Sequence, residues 1–386
     1  MRDEMESFGR KVIRDSIPEQ HRAFYAQLPF ATVGHVDSAG RPWASLLVGR
    51  PGFLSTPDAR SMHFAVCPVA GDPLATSLSP GLQLGFLGMD PATRRRNRLT
   101  GRVTSVDPDG FSLEVDQAFG NCPQYIQTRA IEFVREPNQQ YDVPPVVTFT
   151  RFDQEARTMI ESADTFFVAS ASSDEQRGSV GGADASHRGG LPGFVGVEDN
   201  GTLVIPDYSG NNHFNTLGNF IVNPKAGLLF VDFETGDLLM LSGTVEIVWE
   251  GPEVDSFRGA ERLWKFRLTH GMRLRDRLPV RWSLEESSPH NTLTGTWAEA
   301  RATREADAAR KAWRPYRVMR VVDESDEIRS FYLVPDDGGA LPTFRAGQHL
   351  PIRVTPVTGA APVLRTYTLS SAPGDVFYRI SIKREA

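Results

Sequence analysis

Residues 30–54, FATVGHVDSAGRPWASLLVGRPGFL, and residues 166–195, FFVASASSDEQRGSVGGADASHRGGLPGFV, share one pattern. Each stretch reads as two strands of alternating apolar and polar residues around a turn, and each closes on a Pro-Gly-Phe run. Further matches follow in the same order: SPGLQLGFLGMD at 79–90 with NPKAGLLFVDFE at 223–234, and LTGRV at 99–103 with LSGTV at 241–245. Because the copies stay about 142 residues apart, the chain contains one unit twice.

Each copy consists of short runs rich in β-branched and aromatic residues, separated by Gly, Pro, Asn and Asp. One helical stretch precedes Pro80 in the first copy and Pro224 in the second. This pattern is typical of a small antiparallel barrel, and two such barrels are expected to pack as an internal pseudo-dimer. We place the first repeat at residues 1–145 and the second at residues 146–250.

The sequence changes character after the second repeat. Residues 252–313 carry charged and apolar residues at helical spacing, so we expect a helical connector over 251–314, with an exposed helix at 296–313. From Tyr316 the strand pattern returns, with Gly and Pro between the runs. We expect residues 315–386 to form a third small antiparallel Greek-key barrel, which makes the protein mainly β (α+β).

Composition excludes several function classes. The net charge of −6 argues against a nucleic-acid partner, because phosphate binding usually shows as a basic excess. No apolar run reaches the roughly 18–20 residues of a membrane span and the N-terminus lacks an apolar signal core, so a cytoplasmic protein with no membrane partner is expected. Cys67 and Cys122 have no metal-ligand spacing, so no metal site is expected. The one basic cluster, Arg94-Arg95-Arg96 with Arg98, is interpreted as a solvated turn.

Two polar stretches of the second repeat combine groups that suit a phosphate. Residues 184–190, DASHRGG, bring together the hydroxyl of Ser186, the guanidinium of Arg188 and the flexible Gly189. A phosphate monoester carries close to two negative charges and is bound by such a set of donors. Residues 206–217, PDYSGNNHFNTL, form a turn that enters a helix, where free N–H groups and amide side chains face the same ligand. The alternative is a polar loop before an Asn-capped helix.

Together, DASHRGGLPGFV, DYSGNNHFNTLGNFIVNPKAGLLFVD and LSGTVEI resemble the pyridoxamine 5′-phosphate oxidase-like family of FMN-binding split barrels, over roughly 150–250 and more loosely 20–135. The resemblance implies two tandem split β-barrels with FMN at their interface. Family members usually dimerise to form that interface; here the first repeat is expected to supply the missing half, with a homodimer also open. The FMN ligands implied are Ser186, His187, Arg188, Gly189, Asp207, Asn211, Asn212 and Asn215.

The first repeat departs from these motifs. It has Leu46-Leu47-Val48-Gly49 and Asp72-Pro73-Leu74 at the corresponding places, so one FMN per chain is expected. A second phosphate-binding set for the vitamin substrate is not found, so vitamin synthesis is not expected. Residues 120–126, GNCPQYI, resemble a segment of longer flavoproteins of this type, in which Cys122 either touches the flavin or packs.

Two histidines lie close to the proposed ligands. His187 and His213 either stabilise a reduced, anionic flavin or donate a proton to substrate, or they are structural.

A second resemblance concerns the C-terminal region. RTYTLSS at 365–371, with FRAGQHL at 344–350 and YRISIKRE at 378–385, is similar to the FAD-binding barrel of ferredoxin-reductase-type proteins. It implies that Arg365 meets the pyrophosphate, Tyr367 stacks on the isoalloxazine and Thr368 bonds near N5. The glycine-rich FAD segment, a nicotinamide-binding unit and an iron–sulfur cysteine run are not found, so at most half of an FAD site is expected.

The sequence therefore predicts an FMN-dependent oxidoreductase or electron-transfer flavoprotein. In such a protein the flavin N5 exchanges hydride or electrons with a small-molecule substrate, here unidentified. The expected electron donor is NAD(P)H, acting through a reductase or iron–sulfur partner domain with FAD as a further cofactor. Two alternatives stay open: a non-catalytic flavin carrier or sensor, and a haem-handling split barrel.

Overall fold

The chain divides into two compact units, Met1–Glu305 and Ala306–Ala386, in the computed structural model. The structure describes residues 12–139, 141–172, 182–210, 214–355 and 361–384. Within those ranges, no helix is long and apolar enough to cross a membrane.

The first repeat forms an antiparallel sheet together with two short helices. The helices are α1 (Glu19–Tyr25) and α2 (Pro73–Ser77). The strands are β1 (Phe30–Val36), β2 (Pro42–Val48), β3 (Leu54–Ser55), β4 (Ser61–Phe64), β5 (Gln83–Asp90), β6 (Arg95–Asp107), β7 (Gly110–Asn121) and β8 (Thr128–Phe133). Strands β1 to β7 pair in the order β2-β1-β5-β6-β7-β4-β3.

The second repeat has the same architecture. Its helices are α3 (Gln154–Ser162), α4 (Asn215–Val222) and α5 (Pro252–Asp255). Its strands are β9 (Val147–Phe149), β10 (Thr165–Ala171), β11 (Ala183–Gly189), β12 (Gly196–Val197), β13 (Thr202–Tyr208), β14 (Lys225–Val231), β15 (Leu238–Val248) and β16 (Ala260–Leu274). The order β11-β10-β14-β15-β16-β13-β12 equals that of the first repeat when β1–β7 are matched with β10–β16, so the duplication seen in the sequence is present in the strand order.

The turn between β1 and β2 forms as the sequence predicts. Asp37 accepts hydrogen bonds from the backbone N–H groups of Ala39 and Arg41, each at 2.9 Å. Gly40 has φ +72°, a conformation that residues with a Cβ rarely adopt. The short polar side chain and the glycine together fix this hairpin.

The region after the second repeat differs from the prediction. Residues 260–274, expected to be part of a helical connector, form the long strand β16. Helix-forming residues such as Ala, Arg, Leu and Lys dominate this stretch, but pairing with both β13 and β15 overrides that weak preference. The second repeat therefore continues past the predicted boundary at 250.

The remaining part of the first unit joins the two repeats. β17 (Val280–Glu286) pairs with β8, so strands that follow the two sheets meet in a two-stranded ribbon. A 3₁₀-helix (Pro289–Leu293) and α6 (Trp297–Lys311) follow, and α6 agrees with the helix predicted at 296–313.

Three large apolar clusters, with a smaller fourth that includes Val254, Phe257 and Trp297, stabilise the first unit. One lies within each repeat, and the third contains residues of both, among them Trp43 and Met89 of the first repeat and Phe167 and Met240 of the second. The two sheets approach closely at matched glycines. A Cβ on Gly85 would lie 2.4 Å from the Cα of Asp184, and one on Gly227 would lie 2.6 Å from the carbonyl oxygen of Pro42.

The second unit is also β-structured. Its strands are β18 (Tyr316–Asp323), β19 (Ile328–Pro335), β20 (His349–Val354), β21 (Val363–Thr368) and β22 (Tyr378–Lys383). They form a three-stranded sheet, β18-β19-β22, and a separate ribbon, β20-β21. A small, incomplete Greek-key barrel was expected here, and the described residues of this unit form these two open sheets. Leu333, Leu369, Tyr378 and Ile380 are buried in its own small core.

Candidate functional site

A polar cleft lies where the first repeat meets β11, β13 and α4 of the second. Its volume is about 110 Å³. The first repeat contributes the beginning of β6 and the loop after β7, and the second contributes most of the residues predicted from sequence. Its lining includes Arg96, Arg98, Cys122, Tyr125, His187, Arg188, Asp207, Asn215, Thr216 and Arg262.

Asp207 is shared by two guanidinium groups of the cleft. Arg188 Nη1 donates to one carboxylate oxygen, and Arg262 Nη1 donates to the other at 2.7 Å. Asp207 itself is 5% exposed, so this pairing is largely shielded from solvent. The Nε of Arg188 is buried and has no hydrogen-bond partner within the described residues. Asp207 thus pairs with both arginines while also lining the cleft.

A second carboxylate, Asp184, organises the floor of the cleft. Arg98 Nη1 donates to it at 3.1 Å. The hydroxyl oxygens of Ser186 and Thr216 lie 3.0 Å and 3.1 Å from one carboxylate oxygen, and one of the two hydroxyls donates to it. Ser186 is 1% exposed and does not line the cleft, whereas Thr216 does. The predicted phosphate hydroxyl at Ser186 therefore lies behind the surface, where it supports Thr216 through a 2.7 Å hydrogen bond.

Arg96 is the site residue that the sequence reading missed. It begins β6 and is 8% exposed, so the interpretation of the Arg94–Arg98 cluster as a solvated turn is wrong for this residue. Its guanidinium donates to the carbonyl oxygen of Cys122 and to His187, and no carboxylate of the described residues lies within salt-bridge distance. Burial lowers the pKa of Arg96 to about 9, which leaves it charged at neutral pH.

His187 is held in one neutral form. Burial, followed by the positive charges of Arg96 and Arg129, holds its pKa well below its ordinary value. Since Arg96 Nη1 donates to Nδ1 at 3.2 Å, the proton of the neutral ring is assigned to Nε2. His187 consequently acts as an acceptor toward the cleft and as a donor on its far side.

The loop after β7 closes over β11. A Cβ on Gly189 would lie 2.1 Å from the carbonyl oxygen of Tyr125, so the close approach that requires this glycine is to the loop. Tyr125 has φ +63° and its hydroxyl donates to the carbonyl of Ser209 at 3.0 Å. Its ring lies 5.4 Å from that of Tyr208, which gives the cleft an aromatic wall. Cys122 is half-buried in the same loop and lines the cleft.

Helix α4 begins at the cleft. Phe214 precedes it in a left-handed conformation, φ +51°, and makes no side-chain hydrogen bond to the helix terminus. Asn215, the first helical residue, lines the cleft as predicted. The predicted ligands Asn211 and Asn212, and His213, lie outside the described residues.

The corresponding place in the first repeat is built differently. By strand register, Leu46 and Leu47 occupy the positions of His187 and Arg188. The buried Asp72 accepts from Ser45 at 2.7 Å. An additional anion would meet a carboxylate there.

The beginning of the second repeat also fills this second place. The side chain of Val146 approaches Gly71 so closely that a Cβ there would lie 2.4 Å from it, and Phe149 packs over Gly271 in the same way. Arg277 donates to the carbonyl oxygens of Ala70 and Pro144.

The predicted FAD residues lie on β21 of the second unit. Arg365 is exposed, and its described hydrogen bond is to the backbone carbonyl of Leu364 at 2.9 Å. Tyr367 is half-buried against the core of that unit, and Thr368 Oγ1 lies 3.1 Å from His349 Nδ1. Arg365 and Tyr367 are two residues apart on β21, so their side chains lie on the same face of the strand.

Metal ligation has no support in the described residues, where no group of three His, Cys, Asp or Glu side chains could hold an ion.

Comparison with known proteins yields two kinds of similarity. The family model described as pyridoxamine 5′-phosphate oxidase matches residues 152–278. The flavohemoprotein of Chromobacterium violaceum is 46% identical over 80 residues, covering 21% of this chain and 20% of that protein. The flavohemoprotein of Oceanobacillus iheyensis is 49% identical over 74 residues, covering 19% of this chain and 18% of that protein. The chain thus spans about a fifth of the length of the curated relatives it matches.

Among solved structures, the flavohem-like FAD/NAD binding domain of nitric oxide dioxygenase from Vibrio cholerae O1 biovar El Tor is 43% identical. The match covers 19% of this chain and 30% of the Vibrio cholerae chain, with a TM-score of 0.18. The family match begins near α3 and ends after β16, and so contains all of the second-repeat strands that line the cleft. Residues 152–278 thus match the pyridoxamine 5′-phosphate oxidase family model, and about a fifth of the chain is similar to flavohemoproteins.

Proposed function

We propose that this chain is an FMN-dependent oxidoreductase in which two tandem split barrels form an internal pseudo-dimer around one flavin site. The observation that carries the proposal is the buried Arg96, a cation that faces the cleft without a carboxylate partner in the described residues. A buried charge is unfavourable unless a counter-charge accompanies it, so the cleft is suited to an anionic ligand.

The donors of the cleft fit a phosphate monoester. Arg96 supplies charge from the first repeat, Arg188 supplies a second guanidinium from β11, and Thr216 supplies a hydroxyl at the beginning of α4. The N-terminus of α4 adds free backbone N–H groups and the positive end of the helix dipole. We assign these groups to the FMN phosphate, with Asp207 and Asp184 orienting the arginines.

The asymmetry between the repeats supports one flavin per chain. Leu46 and Leu47 remove the donors at the corresponding place in the first repeat, and Asp72 puts a carboxylate there. Residues that follow the first repeat, including Val146 and Phe149, pack into the same region.

FMN, when bound, supplies an N5 atom that accepts or gives a hydride or single electrons. The chain's own residues then have three tasks. Tyr125 and Tyr208 shield one wall of the cleft from water, Arg96 and Arg188 hold the anionic end, and the neutral His187 fixes the Arg96 guanidinium. A haem would require an axial ligand. His187 is not compatible with that role, because Nδ1 accepts from Arg96 and Nε2 therefore carries the proton.

The C-terminal unit suggests the source of electrons. We assign the 80-residue similarity to flavohemoproteins to this unit because it carries the RTYTLSS motif at 365–371. On that basis NAD(P)H delivers electrons through an FAD-containing reductase module, with Arg365, Tyr367 and Thr368 on the flavin. The nicotinamide site would belong to a partner domain or protein.

The proposal is tested by identifying what the full chain binds. We expect the purified protein to show a flavin absorption spectrum and to release one FMN per chain on heating. Arg188→Ala should lose most of the bound FMN, whereas Arg50→Ala should retain it, because Arg50 pairs with Glu136 on the exposed surface.

Three results would contradict the proposal. Equal FMN loss in both variants removes the single-site assignment, and a Soret band in place of a flavin spectrum identifies a haem protein. Bound FMN that dithionite reduces, but that NAD(P)H with a reductase does not, identifies a carrier.

A further inference from the structure

A second, much smaller cavity lies behind His187, on the side of the ring that faces away from the cleft. Its volume is about 10 Å³, close to the roughly 10–15 Å³ that one water molecule needs. Most of its wall is apolar and comes from both repeats, including Phe30, Met89 and Phe167.

Gln127, whose amide is hydrogen-bonded to protein neighbours, lines the cavity, and four further polar side chains interrupt its apolar wall: Arg129, Thr165, His187 and Trp282. Each is more than nine-tenths buried, with exposures of 8%, 3%, 5% and 4%. Each also carries a buried atom with no hydrogen-bond partner within the described part of the chain: Arg129 Nε, Thr165 Oγ1, His187 Nε2 and Trp282 Nε1. A buried polar atom left unpaired is costly, and four around one cavity point to a shared partner.

The chemistry of the four atoms defines that partner. Arg129 Nε and Trp282 Nε1 can only donate a hydrogen bond, and His187 Nε2 donates because Nδ1 accepts from Arg96. Thr165 can donate or accept. Three N–H groups and a hydroxyl around so small a space require a compact hydrogen-bond acceptor.

Comparison of the repeats argues against ordinary packing as the reason for these groups. By register, Thr165 and His187 of the second repeat correspond to Phe30 and Leu46 of the first, and all four line the same cavity. The first repeat thus contributes apolar groups and the second contributes polar ones at matched positions. Since apolar side chains fill the wall on the side of the first repeat, packing alone does not require Thr165 and His187 to be polar, and this pair serves another purpose.

We propose that this cavity binds a single small hydrogen-bond acceptor, a water molecule or a halide ion, which keeps His187 in its Nε2-protonated form. In that form Nδ1 accepts from Arg96 and holds its guanidinium at the cleft. His187 is then a positioning residue. Its effect on FMN affinity rests on the proposed function, whereas occupancy of the cavity does not.

A high-resolution crystal structure of the full chain tests the occupancy, with crystals grown once in sodium chloride and once in sodium bromide. We expect one density peak within hydrogen-bond distance of at least three of the four atoms. An anomalous signal in bromide identifies a halide, and its absence identifies water. Absence of any peak, with the four atoms bonded to protein neighbours, overturns the proposal.

Nitrogen-15 NMR of His187 tests the positioning role. Thr165→Val and Trp282→Phe should each lower the fraction of the Nε2-protonated form and weaken FMN binding about fivefold, as expected for one lost hydrogen bond. Thr32→Val and Trp264→Phe are matched controls, since each removes an unpartnered buried atom away from this cavity. An unchanged tautomer in both test variants overturns the positioning role. A changed tautomer with unchanged FMN affinity locates the failure in the proposed cleft function.

Discussion

Arg96 and Arg98 are two residues apart on one strand, yet they differ in what they pair with. Arg98 contacts Asp184 at 3.1 Å, so its charge is compensated within the protein. Arg96 contacts a carbonyl oxygen and an imidazole. Both are arginines in one basic run, so composition alone could not show which of them has a carboxylate partner. Their different partners follow from the strand register, which places Arg96 beside His187.

Removing Arg96 should therefore weaken FMN binding strongly. We expect Arg96→Ala to raise the FMN dissociation constant roughly 10- to 100-fold, the range for losing a hydrogen bond to a charged group. Arg96→Lys keeps the charge but loses the planar fork and should recover only part of the affinity. Flavin fluorescence titration measures both. An Arg96→Ala protein with wild-type affinity would exclude this residue from the site.

Asp72 gives a prediction on pH. Burial raises its pKa to about 6, from 3.8, so the folded state binds its proton more tightly than the unfolded state does. Its contribution to stability is therefore present below about pH 4 and is lost as the pH rises toward 6, by roughly 3 kcal/mol in total.

Asp72→Asn should keep the helix cap and remove this penalty. As the pH rises from 4 to 7, the free energy of unfolding of the variant should increase relative to that of the wild type, by up to roughly 3 kcal/mol. Urea denaturation across this range measures the difference between the two proteins. A difference that does not change with pH would mean that Asp72 titrates normally.

At the level of elements, the sequence predicted the strands that alternate clearly and the turns with specific residues. The β1–β2 hairpin and α6 were predicted correctly, as was the repeated order. β16 was predicted as helix because its residue types favour helix, while its pairing partners β13 and β15 lie far away in sequence. The sequence indicated only part of the cleft lining. The residues on β11 and at the beginning of α4 form local motifs, whereas those on β6 join them only through tertiary structure.

The matched glycines at the crossing of the two sheets provide a test of this packing. Gly85→Ala and Gly227→Ala should each destabilise the protein by about 1–3 kcal/mol, because the added methyl meets backbone atoms that cannot move aside. Gly218→Ala is the control: it lies in α4 with open space around its Cβ and should be neutral or slightly stabilising. Thermal unfolding measures all three. Equal effects at the three positions would contradict the close crossing.

On the scale of the whole molecule, the chain has two units with separate cores. The cleft lies entirely in Met1–Glu305, and Leu333, Tyr378 and Ile380 belong to a core within Ala306–Ala386. The first unit thus has all the groups assigned to FMN.

A fragment of residues 1–312, which keeps α6, should fold and bind one FMN with an affinity within about twofold of the full chain, less than one lost hydrogen bond would cost. Its reduction by NAD(P)H and the same partner reductase should be lost if the second unit relays electrons. Gel filtration, flavin stoichiometry and stopped-flow absorbance measure these properties. Loss of FMN by a folded fragment would show that the cleft depends on the second unit.

The arrangement of the arginines has a consequence for the history of the duplication. Arg96 and Arg98 belong to the first repeat, and the equivalent positions of the second, counted from Leu99 and Leu241, are Leu238 and Met240. Arg188 belongs to the second repeat, and its equivalent in the first is Leu47. A symmetric homodimer of either half would possess only one part of the cationic set. Separating the two halves would therefore divide the cationic set of the cleft between two molecules.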